Sequence, residues 1–197
     1  SNFETVKVYL HMQVFKFHRD SLSQISKQQL NLVYNQEAYQ AFLNQTYSTS
    51  NFKHQIAEKG NSFKQETRTT LVEALLKQYE NLEDNELTTR NINLLLDKNT
   101  FTITTGHQLS VFTGPLYFVL KILHVIKQCE ELKKLHPGNN FVPVYWMATE
   151  DHDFEEIQSL NLFTKKITWN SSQKGPVGRF NLEGFSEFKS EIREMFS

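Results

Sequence analysis

Residues 99–121, NTFTITTGHQLSVFTGPLYFVLK, decide how this chain is read. The run from Thr100 to Thr105 is β-branched and aromatic, and Gly106 closes it, which predicts a short buried strand. A polar bend follows, and Pro115 stands where the first helical position suits its fixed φ and missing N–H. Leu116, Val119, Leu120, Leu123, Ile126 and Leu132 then recur at spacings of three and four, predicting a helix with those residues on its apolar stripe and an end near His136-Pro137-Gly138. Next, residues 140–149, NFVPVYWMAT, are almost wholly apolar, as a parallel strand covered on both faces requires. Strand, helix and strand make one βαβ crossover, so the expected class is α/β with a parallel sheet.

Upstream, Ser21 to Leu96 is polar, nearly free of Gly and Pro, and periodic at three and four, which predicts helices. The clearest spans Ser62–Tyr79, with Ser62 as cap, Gln65 completing a capping box, Gly60 breaking the chain before it, and Phe63, Leu71, Leu75, Leu76 and Tyr79 on one face. A shorter helix is expected from Thr88 to Leu96, capped by Thr88 or Thr89. Downstream, residues 159–170 alternate around a two-lysine turn and predict a hairpin, and the Gly-Pro-Val-Gly stretch at 175–178 is a loop before a final helix. The expected organisation is a helical N-terminal segment, 12–98, packing on a core whose first part, with the start of an inserted region, is 99–197. Met12 can serve as a natural start, with residues 1–11 an extension ahead of it. The final helical pattern has no closing Gly, Asn or Pro, so the chain is expected to be a fragment of a longer one.

Length and composition bound the function. The 197 residues suit one compact α/β domain or a small one with a helical appendage. A net charge of -1 gives no electrostatic reason to bind nucleic acid or an anionic membrane, and neither partner is expected. Cys129 is the single cysteine, which excludes an internal disulfide and a cysteine-clustered zinc site; its helical setting makes it a packing residue. There is no apolar run of about twenty residues and no signal-peptide centre, so a cytoplasmic location is expected.

Ligands of open parallel sheets bind beyond the carboxyl ends of the strands. The first such segment carries Thr104, Thr105, Gly106, His107 and Gln108, then Thr113, Gly114 and Pro115. Glycine there permits close backbone approach and a helix start offers free N–H groups, so a phosphate or carboxylate is the natural guest. It matches neither a Walker loop nor a dinucleotide fingerprint, and an ordinary strand-to-helix connection with a hydrogen-bonded histidine is the plain alternative. The second segment, Glu150-Asp151-His152-Asp153 leading to Glu156, concentrates carboxylates that repel one another unless something cationic answers them. It suits an ammonium, sugar hydroxyls or a hard divalent ion such as magnesium or manganese. A solvated helix start accounts for Asp153, Glu155 and Glu156 equally well, though less well for Asp151 and His152. Third, Arg179 after Lys-Gly-Pro-Val-Gly can grip a phosphate or carboxylate bidentately, or be a surface arginine after a turn. Trp146 and Trp169 are expected to be packing residues.

Taken in order, TTGHQLSVFTGPLYFVLK, FVPVYWMATEDHDFEEI and GPVGR resemble one family, the bacillithiol biosynthesis cysteine-adding enzymes, most strongly over residues 100–180. The resemblance implies a Rossmann-like core similar to class I aminoacyl-tRNA synthetases, with connecting insertions and a coiled coil for homodimerisation in a chain over twice this length. It implies a cysteine ligase that joins the carboxylate of cysteine to the amine of glucosaminyl-malate, with this chain alone inactive. A free carboxylate must be activated before an amine attacks it, and in the kindred mycothiol enzyme ATP does so through an adenylate, which makes ATP the candidate cosubstrate. The synthetase His-x-Gly-His word is replaced here by Thr-Gly-Pro-Leu. By analogy Thr105, Gly106, Gln108, Thr113, Gly114 and Pro115, with Arg179, would line the nucleotide or carboxylate pocket. Glu150, Asp151, His152 and Asp153 would orient ammonium or hydroxyls, His107 or His152 would handle the proton, and no metal ligand is assigned. Two other classes stay open: a metal-dependent hydrolase or transferase using the Glu150–Glu156 carboxylates, and a ligand-binding fragment without chemistry.

Overall fold

The computed structural model describes residues 15–46, 48–83, 85–162 and 164–196. Met12 and the extension before it lie outside them. The chain divides into two units between Glu58 and Lys59.

In the first unit, helix α1 (Lys27–Tyr34) starts at a true capping box: the Ser26 hydroxyl accepts the Gln29 N–H at 3.2 Å, and Gln29 Oε1 accepts the Ser26 N–H at 2.8 Å. A 3-10 stretch, Gln36–Phe42, follows, and α2 (Phe52–Ser62) begins after it. No described residue of this unit is buried, as its polar composition requires.

The second unit holds α3 (Gln65–Tyr79), α4 (Glu86–Leu94), β1 (Thr100–Gln108), α5 (Leu116–Leu135), β2 (Asn140–Ala148), the single turn α6 (Phe154–Ile157), the hairpin β3 (Ser159–Leu162) and β4 (Lys165–Thr168), and α7 (Phe185–Glu194). β1 and β2 are parallel, in register from Thr100 opposite Asn140 to Gln108 opposite Ala148, with α5 as the crossover. Val72, Ile92, Leu95 and Val142 form the core between α3, α4 and one sheet face. On the other face α5 contributes Val125, Cys129 and Leu132, all buried. A second cluster, Ile167, Trp169, Phe188 and Ile192, packs α7 on the hairpin.

The expected βαβ unit and hairpin are present, but several details differ. Ser62 ends α2 and caps nothing: its hydroxyl bonds back to the Lys59 carbonyl at 3.4 Å, while Lys64 precedes α3 without a side-chain cap. Gly60 lies inside α2, because a helix tolerates one glycine at a cost of about 1 kcal/mol. The inward residues of α3 are Arg68 and Val72, with Leu75 and Tyr79 half-buried, whereas Phe63, Leu71 and Leu76 are exposed. α4 starts two residues before Thr88, at Glu86 behind Asn85, so neither threonine caps it.

Along α5 the inward line is Val125, Cys129 and Leu132, while Leu116, Leu120, Leu123 and Ile126 are exposed. This helix is apolar on two sides, and periodicity alone cannot choose between them. Pro115 is its N-cap, one position before the predicted one. β1 runs past Gly106 to Gln108, so Gly106, His107 and Gln108 end a strand instead of opening a bend. Trp169 is buried, but Trp146 is 60% exposed, and the end of β2 is not covered on both faces. Lys165 and Lys166 belong to β4 and not to the hairpin turn.

Candidate functional site

Three segments that the sequence singled out meet beyond the carboxyl ends of β1 and β2. Parallel pairing sets Gly106, His107 and Gln108 beside Trp146, Met147 and Ala148, so both strands release their polar continuations on one side. Gln108 then reaches across to donate from Nε2 to Glu156 Oε2 at 3.0 Å, joining the first segment to α6. The third segment docks through its backbone: Val177 N–H donates to the Asp151 carbonyl at 2.8 Å and Gly178 N–H to the Thr149 carbonyl at 2.9 Å. Arg179 thus stands beside the acidic loop, exposed and with no carboxylate partner among the described residues.

His107 is held from several directions. Its Nδ1 lies 3.0 Å from the Gln108 carbonyl, which can only accept, so Nδ1 carries the proton. In the neutral ring Nε2 is therefore the basic nitrogen, and it accepts the Tyr117 hydroxyl at 2.9 Å. Phe118 meets the imidazole edge-on at 5.3 Å, and Tyr145 donates its hydroxyl to the His107 carbonyl at 3.0 Å. Burial pushes the Tyr145 phenol above its ordinary pKa, keeping it a donor. The sequence carries no local signal for these contacts of Tyr117 and Tyr145, which depend on how α5 packs on the sheet.

The turn between β1 and α5 has its own geometry. Phe112 has φ 51° and ψ 50°, a left-handed conformation uncommon for a bulky residue. Gly114 follows at φ 61° and ψ -151°, where only glycine fits, and a Cβ there would stand 2.7 Å from Ser110 Cβ. Glycine is required at this position by the chain's own fold and by Ser110, with no ligand needed to explain it. Thr113 ends the 3-10 turn that carries this bend, and Pro115 then caps α5.

In the acidic loop the four predicted residues separate. Asp151 Oδ1 accepts the N–H of His152 at 2.7 Å and of Asp153 at 3.4 Å, so this carboxylate shapes the loop. Glu150 accepts the Trp146 indole N–H at 3.3 Å. His152 and Asp153, with Glu155, Glu156 and Lys174, line an open cleft of about 760 Å³ between α6 and residues 171–175. Such a mixed wall can hold an ammonium or sugar hydroxyls on its carboxylates and an anion on Lys174. Among the described residues no three His, Cys, Asp or Glu side chains converge on a point that could hold a metal ion. No helix among the described residues is long and apolar enough to cross a membrane.

Comparison with known proteins places this geometry in a family. The family described as bacillithiol biosynthesis BshC, N-terminal Rossmann-like domain, matches residues 12–197. Among curated relatives, the protein named "Putative cysteine ligase BshC" of Flavobacterium psychrophilum is 56% identical over 150 residues, 74% of this chain and 28% of the relative. Its namesake in Flavobacterium johnsoniae is 56% identical over 138 residues, 70% of this chain and 26% of that one. A more distant namesake in Bacillus cytotoxicus is 41% identical over 90 residues, 46% of this chain and 16% of the relative. The matched region thus spans little more than a quarter of the length of the Flavobacterium relatives. With a family match that runs from residue 12 to residue 197 over a parallel βαβ core, the chain belongs to the bacillithiol biosynthesis BshC family and carries its N-terminal Rossmann-like domain.

Proposed function

We propose that this chain is the substrate-pocket-bearing N-terminal part of a ligase that joins cysteine, through its carboxylate, to the amine of glucosaminyl-malate. The observation that carries the proposal is the 56% identity to relatives named as cysteine ligases, over most of this chain. The geometry supports it at the level of chemistry. An amide-forming site must hold an activated carboxylate near an amine, keep the amine oriented, and take up the proton lost on attack. The cleft beside α6 supplies carboxylates at Asp153, Glu155 and Glu156 for the ammonium or the sugar hydroxyls, and His152 on the same wall can accept the proton. His107 is the second base candidate, and for it to act an incoming group must displace or work through the Tyr117 hydroxyl on Nε2.

ATP is the cosubstrate this reading favours, because transfer of adenylate to the cysteine carboxylate gives the amine a leaving group to expel. In that scheme the turn from Thr113 to Pro115, the strand end at Thr105 to Gln108, and Arg179 stabilise charge on phosphate or on the oxyanion. The remainder of a synthetase-like core, a coiled-coil homodimer and a cytoplasmic setting belong to the same proposal for the full-length protein. The test is an end-point mass assay for bacillithiol from cysteine and glucosaminyl-malate, with and without ATP, on the full-length protein and on this chain side by side. Product from the full-length protein alone supports the reading and the need for the rest of the core. No product from either, with or without ATP, overturns it.

A further inference from the structure

A second recess lies away from the acidic cleft, between β1 and the first turns of α5. It is an open groove of about 480 Å³ whose polar lining includes Thr105, Tyr117, Lys121, His124 and Gln128 and whose apolar floor includes Ile103 and Val125. Among the described residues no Asp or Glu lines it. Lys121 is half-buried here, its ammonium donating to the Gly106 carbonyl and lying 6.0 Å from the centre of the Tyr117 ring. It has no carboxylate partner among the described residues, although Lys127, two turns along the same helix, pairs with Glu130 at 3.6 Å. A partly desolvated ammonium that meets, among the described residues, a carbonyl and a ring face keeps donors to offer an anion. His124 sits one turn further on α5, along the same wall.

We propose that this groove is an anion subsite that takes a carboxylate- or phosphate-bearing small molecule through Lys121, with His124 and the Tyr117 hydroxyl as supporting donors and the aliphatic floor against the ligand's carbon skeleton. The site complements the acidic cleft in sign. Tyr117 also connects it to the predicted site, since its hydroxyl donates to His107 and the same residue lines the groove. A guest accepting from Tyr117 would draw that hydrogen bond off Nε2 and free the imidazole. Two sources share the required chemistry: a carboxylate of the acceptor substrate, and the phosphates of a nucleotide.

The test is equilibrium binding of L-malate and, separately, of ATP to the full-length protein by calorimetry, for wild type, Lys121→Gln, Lys121→Arg, His124→Asn and the outward control Lys127→Gln. The expected result is that one of the two anions binds wild type, with affinity about tenfold weaker in Lys121→Gln, the size of one lost charge-assisted contact. Lys121→Arg should recover much of it, His124→Asn should weaken it by a smaller factor, and Lys127→Gln should leave it unchanged. Which anion responds identifies the source. If Lys121→Gln melts early, the exposed His124 and the charge-keeping Lys121→Arg carry the same comparison. Binding that is equal in wild type, Lys121→Gln and His124→Asn, or no binding of either anion to wild type, overturns the proposal. Because the readout is binding, amide formation can fail while this result stands, and the converse.

Discussion

Gly178 shows how narrowly the third segment is fitted to the second. A Cβ on it would stand 2.5 Å from Thr149 Cβ and 2.8 Å from the Thr149 carbonyl oxygen, the acceptor of its own N–H. Gly178→Ala must therefore push the loop off the end of β2, at a cost of about 1–3 kcal/mol. A lower urea midpoint at unchanged slope would agree, and an unchanged midpoint would contradict the packing. Cys129 allows a prediction in pH. Burial raises its thiol from 9.0 to about 11, so the unfolded thiol ionises first as pH climbs past 9.0. Its contribution to stability is complete below that value and is lost as pH rises toward about 11. The stability difference between wild type and Cys129→Ala should be constant at neutral pH and shrink across that window; a difference independent of pH would refute the assignment. Cys129 as a packing residue was legible from its helical setting, whereas the closeness of Gly178 to Thr149 was not, since nothing local links positions 29 residues apart.

At the scale of elements, Arg68 ties α3 to the end of α4. It is 4% exposed, donates to the Leu95 carbonyl at 2.9 Å and the Lys98 carbonyl at 3.3 Å, and lies 5.0 Å from the centre of the Phe63 ring. Arg68→Met fits the apolar surroundings but leaves a buried carbonyl without its donor, so α3 and α4 should loosen by about 1–3 kcal/mol. Amide exchange read at Leu95 and Asp97 would check this, and unchanged protection there would show that water replaces the guanidinium. Sequence periodicity located α3 and α4 but grouped Phe63, Leu71 and Leu76 on one face with Leu75 and Tyr79 and overlooked Arg68, because a charged residue enters a core only when carbonyls from another element meet it. The strands and the crossover helix were legible because β-branched runs and a Pro-led apolar helix have few alternatives. The inward side of α5 was not, since both of its sides are apolar. The meeting of the acidic loop and the His107 segment was legible from their position at strand ends, but the contacts of Tyr117, Tyr145 and Lys121 depend on the packing of α5 against the sheet.

On the scale of the whole molecule, the sheet is the point of tension. Two parallel strands bury too little by themselves, and parallel sheets are found with both faces covered and more strands alongside. Here Leu116, Leu120 and Leu123 on α5 and Trp146 and Met147 on β2 are each more than half exposed. The Flavobacterium relatives are more than three times the length of the region matched. These facts fit together if the outer side of α5 and the end of β2 are covered by the rest of the full-length protein. Covering a leucine is worth about 1.5–3 kcal/mol, so the paired change Leu116→Gln with Leu123→Gln should destabilise the full-length protein by several kcal/mol. In this 197-residue chain alone the same pair should cost little and should reduce self-association, because it only makes an exposed apolar face polar. Thermal melts and sedimentation of both lengths, each with and without the pair, decide the matter. Equal tolerance in both lengths would mean that this side of α5 meets water in the full-length protein, and any further covering of the sheet would then have to come from its edges alone.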